Sequence, residues 1–134
     1  MVVAVVIAKD AVKRKQTEQA AATGAEGVAP MAGSGLAAAL SSGRPTMADF
    51  GKGWCQPCKA MVPVLEQAAR DYAGKANIIY VDMEQYATVA LAYGIQVMPT
   101  QIFFDAKGAE VDRHMGYMAP PDIEKALARV GVKK

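Results

Sequence analysis

The 134-residue chain carries 15 Lys and Arg against 13 Asp and Glu, a formal net charge of +2, and 52% of its residues are hydrophobic. That length supports one domain with a core of ordinary density and no need of disulfide or metal staples, and the near balance of charge excludes a strong single-sign field for holding a nucleic-acid backbone. Two cysteines and one histidine cannot complete a four-ligand zinc site within one chain, whether built from four cysteines or from two cysteines and two histidines.

Met1–Ala8 (MVVAVVIA) is an unbroken apolar run. Spanning a bilayer takes about 20 such residues. No basic stretch precedes the run and no small-residue cleavage pattern follows it, so it reads poorly as a signal peptide. Three readings stay open: the end of a longer membrane anchor, a short interfacial segment, or an extra helical turn or strand docked on the domain. Lys9–Ala22 is rich in helix formers but has almost no apolar stripe, as in a solvated stalk. Thr23–Gly35 is glycine-rich and contains Pro30, a flexible linker. Residues 1–35 therefore read as a tether ahead of a compact domain in residues 36–134. The basic cluster Lys13, Arg14 and Lys15 pulls the other way, because the positive-inside rule keeps such a flank cytoplasmic. Localisation stays between an extracytoplasmic, membrane-anchored protein and a cytoplasmic one.

Within the domain, Leu36–Leu40 makes one or two helical turns, stopped by Ser41, Ser42 and Gly43. Pro45–Gly51 reads as a short buried strand, with Asp49 in an otherwise apolar stretch. Pro57–Ala73 fits a helix whose apolar stripe is Val62, Leu65, Ala69 and Tyr72, with Gly74 as its stop. Asn77–Val81 is a β-rich run, followed by a short helix with Tyr86, Val89, Ala90 and Tyr93 on one face and Gly94 as terminator. Thr100–Asp105 and Glu110–Met115 flank a short loop containing Gly108, an antiparallel hairpin. The last helix opens at Pro120 and lays Ile123, Ala126, Leu127 and Val130 on the sheet. This order predicts an α/β domain with a mixed central β-sheet flanked by helices on both faces.

The distinctive stretch is Trp54-Cys55-Gln56-Pro57-Cys58, between the first strand and the first long helix. Two cysteines three apart at a helix start share a face within disulfide reach, and Pro57 suits the first turn, where its missing N–H has no intrahelical acceptor. Cys55, at the helix N-terminus, feels the partial positive charge of unpaired N–H groups, which stabilises a thiolate. Cys55 is the candidate nucleophile; Cys58, one turn inside, is the candidate resolving thiol. Lys52 and Lys59 either add positive potential or are ordinary solvated charges.

With these residues in view, residues 45–131 resemble the thioredoxin family. Trp54, Cys55 and Cys58 match its Trp-Cys-x-x-Cys motif, and Pro57 its usual variable-pair proline. Asp49 matches the family's buried strand acid, Pro63 its helix-kinking proline, Pro99 its cis-proline and Gly116 the glycine after its last strand. The resemblance implies a thioredoxin fold and a thiol–disulfide oxidoreductase that reduces protein disulfides by cycling Cys55 and Cys58 between dithiol and disulfide. It further implies that Pro99, if cis, sets the Met98 backbone beside Cys55 for strand-like pairing with a substrate. Trp54, Gln56, Pro57, Met98, Thr100 and Gly116 would contact that substrate, and Asp49 would exchange a proton with Cys58 through water. The implied partners are disulfide-containing client proteins and a reductase or membrane electron donor, with no nucleic acid, no cofactor and no metal; the chain is expected to be a monomer. Two departures stand out. Gln56 replaces the glycine of the most familiar thioredoxins, and Tyr80 stands where some members keep a lysine near the buried acid, which leaves Asp49 without that partner.

Two other roles compete: a membrane-tethered extracytoplasmic electron-transfer protein serving one client, as in cytochrome c maturation, and a non-catalytic binding module of the same fold. His114, the only histidine, sits far in sequence from the cysteines and reads as structural. Met31, Met47, Met61, Met83, Met115 and Met118 read as core or rim packing.

Overall fold

The computed structural model describes residues 32–134. The apolar run, the stalk and most of the linker lie outside these residues. Eight elements follow in order: α1 (Ala32–Leu40), β1 (Thr46–Gly51), α2 (Gln56–Asp71), β2 (Asn77–Asp82), α3 (Ala87–Ala92), β3 (Thr100–Phe104), β4 (Glu110–Met115) and α4 (Pro120–Arg129). They build one mixed four-stranded sheet in the order β2-β1-β3-β4. β1 pairs with β2 in parallel, and β3 is antiparallel to both β1 and β4.

Side chains of a strand alternate between faces, so each apolar strand here feeds two cores. On one face Met47, Ile78 and Phe103 pack with Met61 and Leu65 of α2 and Ile123 and Leu127 of α4. On the other, Ala48, Phe50, Ile79, Ile102 and Phe104 pack with Leu36 and Ala39 of α1 and Ala90 of α3. Burying each large side chain contributes roughly 1.5–3 kcal/mol. Tyr93, just past α3, sets its ring 5.8 Å from Phe50 and 5.7 Å from Phe104. The predicted α/β architecture with helices on both faces is the observed one.

Two elements differ from the sequence reading. α1 starts at Ala32 rather than Leu36. Gly33, Ser34 and Gly35 lower its intrinsic propensity, but Leu36 and Ala39 are buried on the sheet, and docking outweighs propensity in a short helix. In α2 the buried stripe is Cys58, Met61, Leu65 and Ala68; of the predicted Val62, Leu65, Ala69 and Tyr72, Leu65 and Tyr72 are buried and Ala69 is half-buried, but Val62 is not. Both stripes share the helical period, so the pattern alone does not phase the helix. The seating of Cys58 against the sheet does, and it turns Val62 outward to 43% exposure while Met61 is fully enclosed. Met61 Sδ also accepts the Met118 N–H at 3.3 Å.

The rotated face gives a direct test. Met61→Ala is expected to lower unfolding free energy by about 2–5 kcal/mol, whereas Val62→Ala should stay within about 1 kcal/mol of the parent. Urea unfolding of both variants reads the difference, and similar losses would mean that α2 is phased otherwise.

Candidate active site

The pairing register gathers four chain segments at one edge of the sheet. The C-terminal end of parallel β1 and β2, the start of β3 and the end of β4 all lie there, since Phe50 pairs with Thr100 and Thr100 with Met115. The residues leaving these ends are Cys55 after β1, Glu84 after β2, Pro99 before β3 and Gly116 after β4. Gly116, at φ +97°, takes a conformation that L side chains rarely adopt, and its N–H donates to the Pro99 carbonyl at 2.7 Å. The Met98–Pro99 bond is cis.

Cys55 and Cys58 are joined by a disulfide, with Cα atoms 5.1 Å apart. Cys55 is the N-cap of α2 and its Sγ accepts the Cys58 N–H at 3.3 Å. Pro57 stands in the first turn, where no N–H is required of it. The first turn of α2 rests directly on β1. A Cβ added to Gly51 would lie 3.0 Å from Cys58 Sγ and 3.2 Å from its Cβ, so only glycine admits this approach without displacement. Cys55 and Cys58 are both buried, while Gln56, Pro57 and Lys59 are exposed.

Two residues before Gly51, on the same face of β1, lies Asp49, fully enclosed. Burial pushes its carboxyl up to about 7, and a hydrogen bond from Gln101 pulls the other way. Gln101 Nε2 donates to Asp49 Oδ1 at 2.7 Å from β3, where the two residues are register partners. Asp49 Oδ2 and Gln101 Oε1 have no hydrogen-bond partner among the described residues. On the other side Asp49 pairs with Tyr80 of β2. The Tyr80 hydroxyl is pushed up to about 12 by burial and by the nearby Asp82, Asp49 and Glu84.

Trp54 is 61% exposed at the rim. Its Nε1 donates to Glu84 at 2.8 Å, and Lys52 Nζ lies 5.5 Å from the ring centroid, a spacing at which a cation is attracted to the indole face. Met98 is half-buried near the same rim, and Val97 and Tyr117 are exposed. Thr100, at the start of β3, is buried, and its hydroxyl donates to the Val97 carbonyl at 2.6 Å. His114 is placed on β4 with Nε2 3.1 Å from the Tyr117 carbonyl. The sequence reading missed Gln101 and Glu84. Gln101 was detectable as the single amide in the apolar run Thr100–Phe104, whereas Glu84 becomes meaningful only through its contact with Trp54. Among the described residues no three His, Cys, Asp or Glu side chains come together as a metal site, and no helix is long and apolar enough to cross a membrane.

A family model described as thioredoxin matches residues 29–129. Thioredoxins from several Staphylococcus aureus strains, Mu50 and MW2 among them, are 37% identical over 81 residues, 60% of this chain and 77% of theirs. Among solved structures, a thioredoxin from Nicotiana alata superposes with a TM-score of 0.62 at 28% identity, over 70% of this chain and 79% of that one.

The buried carboxyl sets a pH dependence. Asp49 titrates near 7 when folded against an ordinary value of 3.8. Between those pH values the folded chain holds a proton that the unfolded chain has lost, so stability falls as pH rises through the window and levels off above it. Asp49→Asn is therefore expected to be more stable than the parent at pH 8, by at most about 4 kcal/mol. The gain should vanish by pH 4, and denaturant melts at the two pH values that showed equal gaps would refute the assignment.

Proposed function

Since the chain belongs to the thioredoxin family, we propose that it reduces disulfides in client proteins, with Cys55 as nucleophile and Cys58 as resolving thiol. Family membership and the bonded cysteine pair support thiol–disulfide oxidoreductase activity. The observation that carries the direction of attack is the N-cap geometry: Cys55 Sγ takes the Cys58 N–H at the positive end of a 16-residue helix. That donor and the helix dipole stabilise a thiolate on Cys55 rather than on Cys58.

In the dithiol form the Cys55 thiolate attacks one sulfur of the client disulfide. A mixed disulfide forms and the other client sulfur leaves as a thiolate. Cys58, deprotonated in turn, attacks Cys55 Sγ; the intermolecular bond breaks, the Cys55–Cys58 bond forms, and the second client thiolate is released. Two electrons and two protons pass to the client, and a reductase or membrane donor must return them. Asp49, beneath the cysteines, is the base for Cys58. It lies two residues, about 7 Å, along β1 from the glycine under Cys58 and on the same face of the strand, and the proton passes between Asp49 and Cys58 through water. A carboxyl that titrates near 7 both accepts and returns a proton at neutral pH. Trp54, Met98, Gly116 and the backbone flanking Pro99 form the rim on which an extended client segment docks. The tethered, single-client version of this role depends on Met1–Ala8, outside the described residues.

Cys55→Ser is expected to abolish turnover in an insulin-reduction assay, and Cys58→Ser to accumulate mixed disulfides with client proteins on a non-reducing gel. Turnover by Cys55→Ser at the parent rate would end the enzyme reading. Asp49→Asn should slow release of the mixed disulfide about 10²-fold or more, with a smaller effect on its formation. Rapid-quench thiol trapping separates the two steps, and equal slowing of both would exclude the relay.

A further inference from the structure

The sheet places four polar side chains in one row on the face that carries α2. Register partners side by side are Tyr80 on β2, Asp49 on β1, Gln101 on β3 and His114 on β4. Register partners point to the same face, and the row is embedded among Met47, Ile78 and Phe103 one pleat away. Asp49 and Gln101, at its centre, are fully enclosed. A carboxamide in such a place is costly unless it is used, and its side chain is engaged by the 2.7 Å contact to Asp49 Oδ1.

We propose that Gln101 is a positioning residue for the proton exchanged with Cys58: by occupying Oδ1 of Asp49 it confines loading and unloading of that proton to Oδ2. An N–H donor on Oδ1 disfavours a proton there, because two hydrogens would then compete for one oxygen, and Oδ2 has no hydrogen-bond partner among the described residues. The exchange balances as Cys58 thiol plus Asp49 carboxylate giving Cys58 thiolate plus Asp49 carboxylic acid protonated at Oδ2. Gln101 neither gains nor loses a proton. A neutral amide also does what a cation beside the acid would overdo. It stabilises the carboxylate enough to keep it titrating near neutrality while leaving it basic enough to take the proton, consistent with burial outweighing the Gln101 bond. The titratable groups facing Asp49 are Tyr80 from β2 and Cys58 from α2, with His114 beyond Gln101 on β4. Tyr80 is neutral throughout the relevant range. This role rests on Asp49 acting as the relay, yet the contact itself can be read independently of catalysis.

In the wild-type protein the side-chain amide resonances of Gln101 should titrate with the same midpoint as the Asp49 carboxyl carbon, and that titration should disappear in Asp49→Asn. Gln101→Leu should move the Asp49 midpoint up by about one to two pH units, and the pH profile for mixed-disulfide release should move with it. Gln101→Met, which keeps the length but has no N–H donor, should also move the midpoint up. Gln101 amide resonances that stay flat through the Asp49 midpoint in the wild type would overturn the assignment even if neither variant folds, as would an unchanged midpoint in either variant. A shifted Asp49 midpoint with an unmoved release profile would preserve the Gln101–Asp49 coupling but overturn its role in proton exchange, and with it the relay reading of Asp49.

Discussion

The approach of α2 to β1 is the constraint from which the rest of the site follows. Gly51 has no side chain, and Cys58 occupies the space a Cβ would need, with its sulfur 3.0 Å from that point. Because the helix starts in contact with the strand end, Cys58 is sealed beneath the first turn and Cys55 becomes the cap. The same contact rotates α2, directing Met61 rather than Val62 into the core. It also brings Cys58 over the strand face that carries Asp49, so helix phasing, accessibility and, in the proposed mechanism, proton supply are consequences of one close packing.

What the sequence disclosed divides along the distance over which its information acts. The cysteine pair, its proline and the helix they open are encoded within a few consecutive residues, and Trp54-Cys55-Gln56-Pro57-Cys58 needs no tertiary knowledge to be read as redox chemistry. The alternation of strands and helices was equally legible, since each buried strand is a short apolar run bounded by turn residues. The surroundings of Asp49 were not, because they depend on register. Gln101 is 52 residues from Asp49 in sequence, and a shift of one residue in the β1–β3 pairing would send the amide to the opposite face. Glu84 reaches Trp54 across 30 residues for the same reason. The stripe of α2 was legible in part: Leu65 and Tyr72 are in the core, but two apolar series of equal period lay on the helix, and only packing decides between them.

Tyr80 illustrates how a departure from a family pattern is absorbed. The position beside the acid holds a neutral phenol, not a cation, and the hydrogen bond that Asp49 receives comes from the opposite neighbour strand. The acid is thus stabilised from β3 rather than β2. The partner of the acid is a dipole rather than a charge, which is less sensitive to salt and demands no counter-ion of its own in the core.

The rim and the row beneath it belong to different layers of the molecule. Trp54, Val97, Met98 and Tyr117 lie on loops beyond the strand ends, whereas Tyr80, Asp49, Gln101 and His114 sit on the strands themselves. The two sets still touch, through Glu84, which accepts from Trp54 and raises the Tyr80 hydroxyl, and through the Tyr117 carbonyl, which meets His114. Under the proposed mechanism, drift in the loops would chiefly alter the docking rim and drift along the row chiefly the proton exchange. Glu84 is then the residue through which a change in one layer is felt in the other.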